Sequence, residues 1–159
     1  MKHCVECGEK LVMKYLDKEG DIPYCPACEQ YRFPIFNTAV SMVVIDESKQ
    51  RILLIKQYDR PFYILVAGYV NRGEAVETAV AREVMEEVGL KVNRIQFNKS
   101  KFFEPSNTLM INFAAFVDSD QVTTTDEVDE WTWFSFEDAK KNIKDGSLAE
   151  EFLLAYLEK

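Results

Sequence analysis

At 159 residues, 47% of them hydrophobic and 29% charged, the chain has the composition of one ordinary globular domain with room for a small appendage. Its formal net charge of −8 argues against binding bulk nucleic acid or an anionic membrane by charge alone, since either partner needs a basic surface. The start MKHCVECGEK lacks the apolar run of a signal peptide, and no later stretch reaches the roughly 18 apolar residues of a membrane helix, so the expectation is a cytoplasmic protein with no membrane partner.

Cys4, Cys7, Cys25 and Cys28 form two C-x2-C pairs separated by 17 residues. A reducing compartment disfavours disulfides, and four thiolates make a closed tetrahedral Zn²⁺ site with no position open for catalysis. The rival is a thioredoxin-type redox pair, which needs one such motif and a βαβ setting that the flanking sequence does not supply. His3, the one histidine, reads as an incidental neighbour of Cys4. Between the pairs, KLVMKYLDKEGDIPY carries two short apolar stretches around Lys18 to Asp21, which predicts a hairpin. Residues 1–32 therefore read as a zinc ribbon too small to hold a core without metal.

From Phe33 the character changes, and residues 33–159 read as the main domain. FNTAVSMVVID and RILLIKQ are apolar and β-branched, are separated by the polar turn ESKQ, and predict two strands; FYILVAG predicts a third, ending at Gly68. The helical pattern that follows starts near Ala75 and stops at Gly89, a C-terminal cap. Val80, Val84 and Val88 lie one turn apart and form a buried stripe flanked by Ala81 and Met85, whereas Glu83, Glu86 and Glu87 fall on an arc of roughly 100° away from its centre. Further strands are predicted around 92–103, 108–117 and 131–135, the last carrying Trp131 and Trp133, one expected to face the core and the other to meet a partner. Two helices are predicted around 136–144 and 147–157, and DSDQVTTTDEVDE reads as an acidic loop.

Three glutamates at i, i+3 and i+4 repel one another, by a few tenths of a kcal/mol per pair. The compensation is either a solvated acidic face relieved by Arg82 and nearby lysines, or a hard divalent cation. Gly68, Glu74, Arg82, Glu83, Val84, Glu86, Glu87, Gly89 and Leu90, in the order G-x5-E-x7-R-E-V-x-E-E-x-G-L, resemble the signature box of the Nudix hydrolases at every defining position. The resemblance implies an α+β fold, a Nudix α/β/α sandwich with a mixed sheet. It also implies hydrolysis, dependent on Mg²⁺ or Mn²⁺, of a nucleoside diphosphate linked to another moiety. By the same resemblance Glu83, Glu86 and Glu87 bind the catalytic cations with the Gly68 carbonyl as a further ligand, and Glu74 pairs with Arg82 to orient the loop against the helix. The bland alternatives are a solvated surface cation for Arg82 and a helix-start carboxylate favoured by the dipole for Glu74.

The chemistry of the residues agrees. A diphosphate bridge is strongly anionic, and hard cations held by oxygen ligands neutralise it for attack by water. No histidine is available as proton acceptor; the resemblance implies an acceptor that varies within the family, so Glu83 and an acidic residue in a later loop both qualify, Glu127 being the later candidate because it stands where related pyrophosphatases carry a glutamate before an aromatic strand. Its alternative is membership of a solvated acidic loop with Asp126, Asp129 and Glu130. Ribbon and box together resemble the NADH pyrophosphatase branch, whose members cleave NADH or NAD⁺ and in some cases remove NAD caps from RNA, and whose additional N-terminal domain does not figure here. The branch's serine-glutamine-proline-tryptophan stretch is replaced by SKFFEPSNTLM from Ser100, which puts selectivity for NADH, though not the reaction class, in question. Tyr69, Phe102 and Phe103 are candidates for stacking on a base, against packing in the core or at its rim.

The expected function is thus a metal-dependent diphosphatase acting on NAD(H)-like or ADP-ribose-like substrates, with NAD-capped RNA as a further substrate and, from the resemblance alone, a homodimer. The alternative is a non-catalytic module that binds a nucleotide or protein, for which an intact set of carboxylates has no purpose.

Overall fold

The polar turn after Leu16 folds the N-terminal chain back on itself. In the computed structural model, which describes residues 1–159, β1 (Val12–Leu16) pairs antiparallel with β2 (Gly20–Cys25), and β3 (Gln30–Tyr31) completes a three-stranded sheet. Every apolar side chain of these strands keeps some solvent contact, and the buried residues of the compact unit Met1–Phe36 are Cys4 and Cys25. Such a sheet has no hydrocarbon core to hold it. What gathers it are the sulfurs of Cys4, Cys7, Cys25 and Cys28, which all lie within 4.8 Å of one another, with Arg32 Nε donating to Cys4 Sγ at 3.2 Å. The backbone N–H groups of Cys7 and Glu6 are the main reason the Cys4 thiol is lowered to about 6, so one ligand is poised as thiolate.

The second unit spans Asn37–Lys159, so residues 33–36, grouped with the main domain on composition, fall in the first. Its sheet has six strands: β4 (Asn37–Asp46), β5 (Arg51–Gln57), β6 (Val66–Tyr69), β7 (Val92–Phe103), β8 (Thr108–Val117) and β9 (Val128–Ser135). The order is β7-β8-β4-β5-β9, with β6 also on β4; β4 and β8 run parallel and every other pair is antiparallel. Helix α1 (Val76–Val88) covers one face, and α2 (Phe136–Asn142) and α3 (Leu148–Leu157) cover the other.

Side-chain alternation sorts each central strand between two cores. Val40, Met42 and Val44 of β4 with Leu53 and Ile55 of β5 face α1, whereas Val43, Ile45, Ile52 and Leu54 face α2 and α3. Both faces of β4 and β5 are therefore apolar, which is why their sequences read as continuous runs. This is the mixed-sheet α/β/α sandwich.

Two expectations are corrected. FYILVAG is not one strand: Ile64 exchanges two hydrogen bonds with Ile55 of β5, and the chain then shifts to β4, where Val66–Tyr69 pairs with Met42 back to Ala39. Strand β5 covers β4 only from Val44 to Asp46, so the remaining edge of β4 needs a second partner, and β6 supplies it. On α1, Ala81 and Met85 are exposed, whereas Glu83 and Glu87 are buried beside Val80, Val84 and Val88. The helix lies with its Ala79 and Glu83 flank, not its Ala81 flank, against the sheet. Gly89 ends α1 with φ 67°, and a Cβ there would lie 2.9 Å from the Thr123 carbonyl oxygen, so glycine is required twice over. Trp133 packs on the α1-side core and Trp131 is exposed.

Because the four thiols stand where this unit lacks hydrocarbon, Cys25→Ser should abolish amide protection across Val12–Tyr31, read by hydrogen exchange. Retained protection in that variant would show that the sheet holds without its sulfur ligand set.

Candidate active site

A hollow lies beside the short strand β6 and the corner after β5. It measures about 430 Å³ and is lined by Gly68 and Tyr69 from β6, Glu83 and Glu87 from α1, Tyr58 after β5, and Glu127 before β9. Asn71, Ser106, Thr108, Met110 and two alanines complete the wall. An adjoining hollow of about 330 Å³ is framed by Glu83, Glu86, Glu87, Thr125, Asp126 and Glu127. One carboxylate ridge therefore serves both.

Gly68 is where strand and helix meet. A Cβ built on it would lie 1.9 Å from the Glu83 carboxyl carbon, so the Glu83 carboxylate occupies the space any side chain would take. Arg82 organises the rest. Its Nε and Nη2 donate to the two oxygens of Glu74 at 2.8 and 2.9 Å, its Nη1 to Glu83 at 2.7 Å and Glu86 at 2.9 Å, and its Nη2 also to the Tyr69 carbonyl at 3.0 Å. Glu74 further accepts the Asn71 N–H at 2.9 Å, and with Arg82 as the larger cause its carboxyl is lowered to about 2. This bidentate pair fixes the loop from β6 into α1.

Glu87 is different. The neutral Gln57 amide donates from Nε2 to Glu87 Oε2 at 3.1 Å. Burial, reinforced by the charge of Glu83, pushes its carboxyl up to about 8. An ionised Glu87 therefore lacks an internal counter-charge, and a divalent cation in the hollow would supply one. The donors are all oxygen, the set that suits a hard ion, although the carboxylates do not converge within 4.8 Å as the four thiols do. Glu83 and Glu86 are meanwhile held by Arg82.

Of the residues singled out on sequence, Gly68, Tyr69, Glu83, Glu86, Glu87 and Glu127 meet at the two hollows, with Arg82 and Glu74 behind them. Phe102 and Phe103 lie at the end of β7 and do not line either hollow. Sequence reasoning missed Gln57, Tyr58, Asn71, Ser106 and Thr108. For Gln57 there was a signal, a polar residue closing the buried run RILLIK; for Tyr58 there was none. The Tyr58 phenol is raised, first by the charge of Glu127, toward which its hydroxyl points at 3.4 Å.

The model of the NUDIX domain matches residues 36–155. The NAD-capped RNA hydrolase NudC of Pseudomonas aeruginosa is 30% identical over 159 residues, covering 98% of this chain and 55% of its own length. The protein of the same name from Shigella flexneri is 30% identical, covering 96% and 58% respectively. The chain thus spans little more than half the length of these relatives. A NUDIX hydrolase of Nitrosomonas europaea superposes with a TM-score of 0.68 at 19% identity, over 99% of this chain and 91% of that one. The dihydroneopterin triphosphate pyrophosphohydrolase of E. coli does so with a TM-score of 0.59 at 20% identity, over 79% and 99%. Those two likenesses concern fold. No helix here is long and apolar enough to cross a membrane.

The raised Glu87 carboxyl gives a signed pH dependence. Between its ordinary value of 4.5 and about 8 the folded chain holds a proton that the unfolded chain has released. This contribution to stability is complete below that window and is lost as pH rises through it. Without divalent cation at the carboxylates, the melting temperature should fall from pH 5 to pH 8 more steeply than in Glu87→Gln, and added Mg²⁺ should raise it more at pH 8 than at pH 5. Equal slopes for the two proteins in differential scanning fluorimetry would contradict the assignment.

Proposed function

The chain belongs to the NUDIX domain family, and from that premise we propose that it hydrolyses the diphosphate linkage of an NAD(H)-like or ADP-ribose-like nucleotide with Mg²⁺ or Mn²⁺. The observation that carries this reading is the burial of Glu83 and Glu87 in one hollow with Glu127, directly against the side-chain-free Gly68. When bound, the cations neutralise the diphosphate and acidify a water. Glu83, Glu86, Glu87 and the Gly68 carbonyl would hold them. Arg82, locked to Glu74, keeps Glu83 and Glu86 directed to the hollow.

Glu127, across the hollow, takes the proton of the attacking water. The water oxygen forms a new bond to phosphorus, the bridging P–O bond breaks, and its electron pair leaves with the departing nucleotide phosphate. Tyr69 at the rim, 58% exposed, offers a ring face for the base. Phe102 and Phe103, both exposed, do not line the hollow. Support for an NAD-type substrate comes from the names of the relatives at 30% identity, and the same names make NAD-capped RNA a candidate substrate. Against RNA stands the net charge of −8.

In this reading Zn²⁺ occupies the N-terminal thiols. Four ligands at about 2.3 Å from a tetrahedral centre are about 3.8 Å apart. The Cys4–Cys28, Cys7–Cys25 and Cys7–Cys28 sulfur separations of 3.9, 3.5 and 3.3 Å are close to that figure. A zinc ribbon within the first unit ahead of a Nudix domain in the second, a cytoplasmic location and a homodimer complete the proposal; the last two rest on the sequence reading and the resemblance.

The test is a panel of NADH, NAD⁺, ADP-ribose, dinucleoside polyphosphates and nucleoside triphosphates with Mg²⁺ or Mn²⁺, products identified by mass. We expect nucleotide monophosphates from NAD-type substrates, and at least a hundredfold loss of turnover, about 2.7 kcal/mol, in Glu86→Gln and Glu87→Gln with folding retained. No turnover of any member by metal-loaded, folded protein would instead support a binding module.

A further inference from the structure

The corner that follows β5 carries an anomaly. Tyr58 and Asp59 are consecutive residues in the left-handed region, with φ 57° and 54°, and neither is glycine. A tyrosine adopts that conformation only where its surroundings over-determine it. The pairing of β5 with β9 slips at the same place: Lys56 faces Glu130 and Gln57 faces Val128, so Asp129 is the extra residue of a bulge. Bulges beside a site re-aim side chains.

Here the bulge and the corner grip each other. The Asp59 N–H donates to Asp129 Oδ2 at 2.7 Å, and the Tyr58 hydroxyl is 3.4 Å from Glu127 Oε2. One residue earlier, Gln57 Nε2 holds Glu87. Three successive residues thus reach three carboxylates, two of which face the hollow. The acidic loop between β8 and β9 has separate anchors at its far end, where Asp120 accepts from Lys49 and Arg51 and the Thr123 N–H donates to the Val88 carbonyl. At Glu127 itself it is the Tyr58 hydroxyl that points to the carboxylate. Tyr58 is 62% exposed, so packing does not explain why a ring stands there.

We infer that Tyr58 is a positioning residue: from a left-handed corner pinned by Asp129 it orients the Glu127 carboxylate over the hollow and links its placement, through Gln57, to that of Glu87. This rests on the reading of Glu127 as proton acceptor. The 3.4 Å contact is long for O–H···O, in keeping with catalytic hydrogen bonds that tighten only when substrate is bound.

The test uses the full chain with its thiol-bound metal retained and the best substrate of the panel. Tyr58→Phe removes one oxygen and keeps the ring. It should lower kcat about tenfold with KM within about twofold. In a Glu127→Gln background the same change should alter kcat less than about twofold, because Tyr58 acts through Glu127. Independently of turnover, the Val128 amide, which donates to the Thr125 carbonyl, should exchange faster in Tyr58→Phe while α1 amides do not. Unchanged kcat, or an equal loss in the Glu127→Gln background, would overturn the catalytic part, and unchanged exchange at Val128 would overturn the clamp. A wild-type chain inert toward the whole panel fails the functional reading, and the exchange experiment still decides the clamp.

Discussion

Burying two neighbouring carboxylates with a counter-charge for one of them is the constraint around which the second unit's site is organised. Glu83 and Glu87 lie on the sheet-facing side of α1, among valines, and reach a hollow instead of bulk water. In a medium of lowered dielectric the ionised form of such groups is costly unless a cation or several donors face it. Arg82 meets the need at Glu83, and Gln57 meets it only in part at Glu87. Around these two carboxylates, glycine at 68 leaves Glu83 room, and the acidic loop brings Glu127 to the same hollow.

A large part of this was legible in the sequence. The period of Val80, Val84 and Val88 and the stop at Gly89 delimit α1, and the long apolar runs mark β4, β5 and β8 because two helical layers bury both faces of the sheet. The signature spacing points to the residues that gather at the hollow because side chains at i, i+3 and i+4 project from adjacent turns.

What escaped had a common cause, since each case depends on contacts between segments distant in the chain. Periodicity alone placed Ala81 and Met85 on the buried flank, and the sheet selected the other flank. The run FYILVAG has strand character throughout, yet the limited length of β5 against β4 divides it. Phe102 and Phe103 have the chemistry for stacking and sit on the edge strand beside Thr108 without lining the hollow themselves, and the left-handed φ of Tyr58 leaves no trace in residue type. The N-terminal unit is the opposite case. Its fold has almost no hydrocarbon to read, and the spacing of four cysteines carries nearly all the information, because the sulfurs stand in for a core.

The central claim is that a divalent cation answers the charge of Glu83 and Glu87. Its most direct test is a crystal grown with Mn²⁺ and a non-hydrolysable diphosphate analogue, with the ion located by anomalous scattering. The account predicts a cation in direct contact with carboxylate oxygens of Glu83 and Glu87 and with the diphosphate, at about the 2.0–2.2 Å of hard-ion coordination. An ion bound elsewhere, with the Glu87 carboxyl still paired to Gln57 alone, would contradict it.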